Sequence, residues 1–248
     1  MNRAYHKPSL MFLAAEGRAV PELAAYMLFW RGVASRCRGD GHPVLVIPGF
    51  GGTDLATTPM RTFLNAVGFS AHPWELGRNM GGRPGLKNEL LGRIQSLSDQ
   101  YGTTVSLVGW SMGGIFARRL AVYTPEGIRQ VVTLGSPFFA TADETHVGWL
   151  TKKATVKGRA DEGPGHGPKV PVTSLFTTSD GIVPWESCLQ QTGPLSENIR
   201  VLGSHCGLAH NPSVLYLLAQ RLNQAQGAWT PFEPRGRETL MFKPWTYP

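Results

Sequence analysis

A chain of 248 residues, 42% of them hydrophobic and 10% aromatic, is long enough to bury a core of its own and fits one α/β domain. Its 24 Lys and Arg against 17 Asp and Glu give a formal charge of +7. The basic residues are dispersed, however, and pairs such as Lys152-Lys153 are too short for a nucleic-acid-binding arm, so no nucleic-acid partner is expected. The three cysteines, Cys37, Cys188 and Cys206, have no zinc or disulfide-framework spacing and read as free thiols of a cytoplasmic protein.

Residues 9–36 read as helical, with apolar residues recurring at three- and four-residue steps from Leu10 to Trp30 and a second helix starting near Pro21. Core burial is the expectation for this segment, with a membrane-surface helix the alternative because Phe29 and Trp30 are bulky. The stretch Leu10 to Ala15 is too short for a secretory signal core. No run approaches the ~18 apolar residues of a membrane span, so stable membrane insertion is not expected. Val44 to Ile47 is the first clear strand and leads into Pro48-Gly49-Phe50-Gly51-Gly52. Thr58-Pro59 opens a helix through Val67, Ser70 to Trp74 reads as a strand, Asn79 to Gly85 as a loop, and a helix then runs to Gln100.

Next come the β-branched run Thr103 to Val108, the string Gly109-Trp110-Ser111-Met112-Gly113 and a helical segment that Pro125 ends. Val131 to Leu134 is another buried strand. Residues 137–170 carry Gly-Pro pairs amid charges and read either as a lid or cap insertion, with Phe138, Phe139, Trp149 and Leu150 available to an acyl group, or as a long solvent-facing loop. Asp161, Glu162 and His166 within it lack a matching metal-ligand set. A strand from Val172 ends at Asp180-Gly181, a shorter one from Ile199 ends at His205, and Asn211-Pro212 caps the last long helix. The tail, residues 227–248, holds Trp229, Phe232, Phe242, Trp245 and Tyr247 and is expected to pack back on the body. Short apolar strands alternating with helices predict an α/β protein with a mainly parallel sheet covered on both faces.

A G-x-S-x-G string between a strand and a helix is a nucleophile elbow. Glycines flank the serine because Cβ atoms there collide with the strand and helix that the sharp turn brings together. The turn puts the Ser111 hydroxyl at a helix N-terminus, where developing negative charge is favoured. Serine needs a base, and the base needs an orienting acid. Both are sought downstream, acid first, at the carboxyl ends of strands. Asp180 is preferred over Asp143, Glu144, Asp161, Glu162 and Glu186. His205, directly after its strand, is preferred over His210. Backbone N–H groups of Met112 and Phe50 are the candidate oxyanion donors.

On these residues the chain resembles the α/β-hydrolase superfamily, close to its lipase and esterase branch, over roughly residues 44 to 225. Pro48 stands where that branch often has a histidine. The resemblance implies an α/β-hydrolase fold and cleavage of carboxylic esters through an acyl-enzyme. Ser111, Asp180 and His205 would be the triad, and Trp110, Phe138 and Phe139 would border a small ester or lipid-like substrate. No cofactor or metal is implied. Acyl transfer and polyester depolymerisation would use the same triad, and a non-catalytic hydrolase-fold binding protein is the rival from another class.

Overall fold

The computed structural model describes residues 5–148 and 167–247. Seven strands form one sheet: β1 Pro43–Ile47, β2 Ser70–Pro73, β3 Val105–Trp110, β4 Ile128–Leu134, β5 Val172–Phe176, β6 Ser196–Arg200 and β7 Lys243–Trp245, in the order β2-β1-β3-β4-β5-β6-β7. The first six run parallel, and β7 pairs antiparallel with β6. Strands covered on both faces must be apolar on both, and all five residues of β1 are buried. Val44 and Val46 join a layer that includes Met60, Phe63 and Leu218. Leu45 and Ile47, of opposite parity, join a layer with Leu90, Leu97 and Phe116 on the other face.

The described α-helices are α1 Leu10–Ala15, α2 Ala19–Ala34, α3 Thr58–Ala66, α4 Leu86–Tyr101, α5 Met112–Tyr123, α6 Pro212–Leu222 and the short α7 Glu238–Met241, and short 3-10 turns lie between elements. α2, α3 and α6 supply the first layer, α4 and α5 the second. The expected mainly parallel sheet with two helical layers is therefore what the chain forms. Its order brings the carboxyl ends of β1, β3, β5 and β6, and the loops that leave them, to one edge.

Several local readings shift. α2 starts at Ala19, with Pro21 in its first turn, where a missing N–H breaks no helical bond. The strand before the elbow starts at Val105 rather than Thr103. The tail does more than pack back: Lys243–Trp245 extends the sheet as its seventh strand, and Pro244 is tolerated there because the strand lies at the edge. Core burial fails for the outer side of α2. Tyr26 is buried, yet Phe29 is exposed, because the side of the helix that meets the body carries Glu22 beside Tyr26 and Trp30 and leaves the remaining apolar residues outside. The expected insertion falls largely on residues 149–166, so Trp149, Leu150, Asp161, Glu162 and His166 lie outside the described residues.

The tail is anchored by Phe242, which is buried, stacked on Tyr216 with ring centroids 6.2 Å apart and edge-on to Phe232 at 5.8 Å. Truncating a fully packed aromatic removes transfer energy and leaves a cavity. Phe242→Ala is expected to lower unfolding free energy by about 3–5 kcal/mol, read as a lower urea midpoint with unchanged m-value.

Candidate active site

Ser111 sits between β3 and α5 with φ 53° and ψ −122°, a left-handed backbone that costs a non-glycine residue energy and persists only where the surroundings enforce it. Two glycines allow the turn. A Cβ on Gly109 would lie 2.3 Å from the Cα of Gly114, and one on Gly113 would lie 2.2 Å from the carbonyl oxygen of Ile47. Strand and helix thus meet backbone to backbone. The Ser111 N–H donates to the Leu134 carbonyl at 2.8 Å, which ties the elbow to β4. Met112 begins α5, so its N–H belongs to the first turn, which has no intrahelical acceptor.

The loop after β1 is fixed from an unexpected side. Asn79 is fully buried; its Nδ2 donates to the Pro48 carbonyl at 2.7 Å. Its own N–H and carbonyl bond to Gly52 and Gly51 in turn. The Gly51 N–H is thus committed to the Asn79 carbonyl, and the Gly52 N–H donates to the Gly49 carbonyl at 3.0 Å. The Phe50 N–H carries no hydrogen bond among the described residues, which leaves it available as a donor.

Asp180 and His205 are both buried and paired, Oδ2 to Nδ1 at 2.6 Å. The other carboxylate oxygen, Oδ1, accepts the N–H groups of Ile182 at 2.9 Å and Val183 at 2.8 Å. The histidine is held further by its carbonyl, which accepts the Trp110 indole N–H at 3.1 Å. With Nδ1 spent on Asp180, Nε2 is the ring nitrogen left for other chemistry. The Ser111 hydroxyl has no hydrogen-bond partner among the described residues, as is common at such sites before substrate tightens them.

Among the rival candidates, His210 Nε2 donates to the Ala19 carbonyl at 3.0 Å rather than meeting Asp180. Glu144 accepts the Tyr5 N–H and closes a capping box on Thr141. Phe138 is buried, with Arg118 over its ring at 5.0 Å, whereas Phe139 keeps some exposed surface. Burial, reinforced by Glu16, pushes the Cys206 thiol up to about 12, so it is not a thiolate nucleophile at neutral pH. No cluster of three or more His, Cys, Asp and Glu suited to a metal occurs among the described residues.

Glu16 is, with Asn79, a site residue outside the sequence-based expectations. It lies in a single 3-10 turn between α1 and α2, buried, more than 160 positions from the loops it touches. Oε1 accepts the N–H groups of Gly181 at 2.9 Å and His205 at 3.0 Å; Oε2 accepts that of Cys206 at 2.9 Å. One carboxylate thus links the residue after Asp180 to the backbone of His205. Glu22 and Arg18 add to the link: Glu22 accepts the Ser204 N–H at 2.8 Å, and Arg18 donates to the Ser179 carbonyl at 3.1 Å. A signal was available, since Glu16, Arg18 and Glu22 are the sole charges between Lys7 and Arg31.

The electrostatics follow. Burial would raise the Glu16 carboxyl, but three N–H donors and the nearby imidazole outweigh it, and its pKa is lowered. Burial would likewise lower His205, but Asp180, and Glu16 behind it, outweigh that and raise it.

The chain has likenesses to known proteins in sequence and in fold. A family model described as the PGAP1-like alpha/beta domain matches residues 76–152, the stretch that holds α4, β3, the elbow and α5. Pimeloyl-(acyl-carrier protein) methyl ester esterase of Shewanella woodyi is 28% identical over 112 residues, which cover 44% of this chain and 43% of the relative. The chain thus spans less than half the length of that relative. Among solved structures, an alpha/beta hydrolase enzyme from a metagenome of Mar Chica lagoon sediments is similar with a TM-score of 0.54 at 19% identity, over 74% of this chain and 90% of that one. The mature lipase of Bacillus licheniformis gives 0.54 at 17% identity, over 74% and 93%. Lipase B of Aspergillus fumigatus gives 0.53 at 15%, over 76% and 54%. The fold is that of the α/β-hydrolases. The likenesses in sequence and fold lie on the lipase and esterase branch of that superfamily.

The Glu16 contacts predict a shift visible without substrate. In Glu16→Gln the negative charge is gone, so histidine NMR is expected to show His205 titrating at lower pH than in the parent protein. An unchanged titration would mean that Glu16 exerts no field at the ring.

Proposed function

We propose that the protein is a serine hydrolase of carboxylic esters acting through an acyl-enzyme. The observation that carries the reading is the buried Asp180–His205 pair, at the sheet edge where a serine occupies a left-handed backbone position. His205 Nε2 takes the Ser111 proton as Oγ attacks the ester carbonyl, and the carbonyl π electrons move onto oxygen. The amides of Met112 and Phe50 donate to that oxyanion. Its collapse breaks the bond to the alcohol oxygen, which leaves with the proton from His205. Water, deprotonated by the same nitrogen, then attacks the acyl carbon. Ser111 departs, regains its proton, and the carboxylic acid is released. Asp180 holds the ring in the tautomer with Nδ1 protonated and stabilises the imidazolium formed at each addition. Partly exposed Phe139 and Trp110 offer apolar surface to the acyl group, and the esterase and lipase names of the relatives support the ester class.

Ser111→Ala is expected to lower p-nitrophenyl butyrate turnover by at least ~10⁴-fold and to abolish fluorophosphonate labelling, with an unchanged circular dichroism spectrum. Turnover surviving in that variant would remove the reading.

Catalysis requires neutral His205, whose pKa is raised. kcat/KM should therefore be full at high pH and fall as pH drops through a value above the ordinary imidazole pKa of about 6.5. A pH profile whose acid limb lies below that value would contradict the assignment of His205 as base.

A further inference from the structure

The segment from Pro8 to Trp30 is amphipathic in the reverse sense. Its only charges, Glu16, Arg18 and Glu22, point inward to the Asp180 and His205 loops. The outer side of α1 and α2 is apolar: Leu10 is 74% exposed, Val20 73%, Met27 66% and Leu28 75%. Ala24, between Val20 and Leu28, is exposed on the same side. Two more large apolar residues are exposed beyond the carboxyl ends of strands, Leu55 in the 3-10 turn Asp54–Thr57 after β1 and Leu202 in the loop after β6. A contiguous apolar face of this kind marks a contact surface, because water is a poor neighbour for it.

Charge decides what covers it. α2 ends in exposed Arg31, on the apolar side, and exposed Arg36 and Arg38 follow. Beyond its end lies an open groove of about 670 Å³, bordered by Val33, Arg36, Tyr216, Arg235, Arg237 and Met241. The guanidinium groups of Arg36, Arg235 and Arg237 make no hydrogen bond or ion pair among the described residues. Glu238, the one carboxylate at the groove, accepts the Tyr216 hydroxyl at 2.7 Å and the Arg235 N–H at 2.9 Å. A second copy of this chain, itself at +7, would bring no carboxylate from its own outer α1–α2 side to meet Arg31. An anionic lipid surface supplies both parts, acyl chains for the apolar face and phosphates for the arginines. At 16 residues α2 is too short to cross the ~30 Å hydrocarbon layer, and none of the described helices is long and apolar enough to do so. It suits the interface plane.

We propose that the outer face of α1 and α2 docks reversibly on anionic lipid surfaces, with the Arg36–Arg235–Arg237 groove taking phosphate headgroups. The inference does not depend on ester hydrolysis, and its test reads binding rather than turnover. The full chain is sedimented with vesicles of phosphatidylcholine alone or with added phosphatidylglycerol. Binding is expected to the anionic vesicles and to weaken with salt. It should fall at least about tenfold in Met27→Asp/Leu28→Asp and measurably in Arg235→Gln/Arg237→Gln. Circular dichroism and the urea midpoint check that the variants fold. A fluorophore on Leu28→Cys should shift to the blue on anionic vesicles, which covers the case of a poorly folding double variant. Equal binding to uncharged vesicles, or no loss in folded Met27→Asp/Leu28→Asp, would overturn the proposal. So would a solution dimer that those substitutions dissociate.

Discussion

Two buried carboxylates beside one imidazole set the terms for this molecule. A carboxylate removed from water is costly unless charge and hydrogen bonds replace its hydration. Asp180 and Glu16 meet that requirement with backbone N–H groups and His205. Five main-chain donors from the loops after β5 and β6 converge on the two acids, so those loops cannot move without stripping a buried charge of its partners. The order of the site and the compactness of this edge are consequences of one electrostatic demand.

That demand also accounts for the N-terminal segment. A helix that merely covers a sheet turns its apolar side inward. Here the inward side presents charge beside the apolar Tyr26, because the N–H groups and carbonyls of the loops it meets need partners. Glu16, Glu22 and Arg18 satisfy them, and the 3-10 turn between α1 and α2 brings Glu16 close enough to bond three amides at once. A Cβ on Gly207 would lie 1.6 Å from Glu22 Oε2, and one on Gly181 would lie 2.3 Å from the Phe12 carbonyl oxygen. Glycines at both places let the segment sit directly on the loop backbones.

What the sequence disclosed follows from the range of the interactions involved. The elbow was legible because its constraints are local: a left-handed serine and flanking glycines fall within five residues. Asp180 and His205 stood out because strand ends are visible as the close of apolar runs, and the sheet order brings those ends together. The partners that hold the loops of the site were not legible. Asn79 acts through a side chain turned onto Pro48, 31 positions away, from a loop of unremarkable Gly and Pro content. Glu16 acts across 165 to 190 positions. Nothing local distinguishes a carboxylate that will clamp backbone from one that will face water. β7 was missed because three residues with a central proline carry no alternation to read.

The exposed side of α2 has the same origin. Periodicity reports that a helix has apolar residues at regular steps, and it assigns them to the core because cores are the usual destination. In this segment almost every position is apolar, so periodicity cannot choose a side. The three charges choose it, and they choose according to where donors and acceptors wait rather than where water is. The apolar majority is then displaced outward by the minority. A lipid-facing surface and a well-ordered pair of acids are therefore two sides of one helix pair, built by the same three residues. Moving those charges outward would bury the apolar side and leave the loop amides without acceptors.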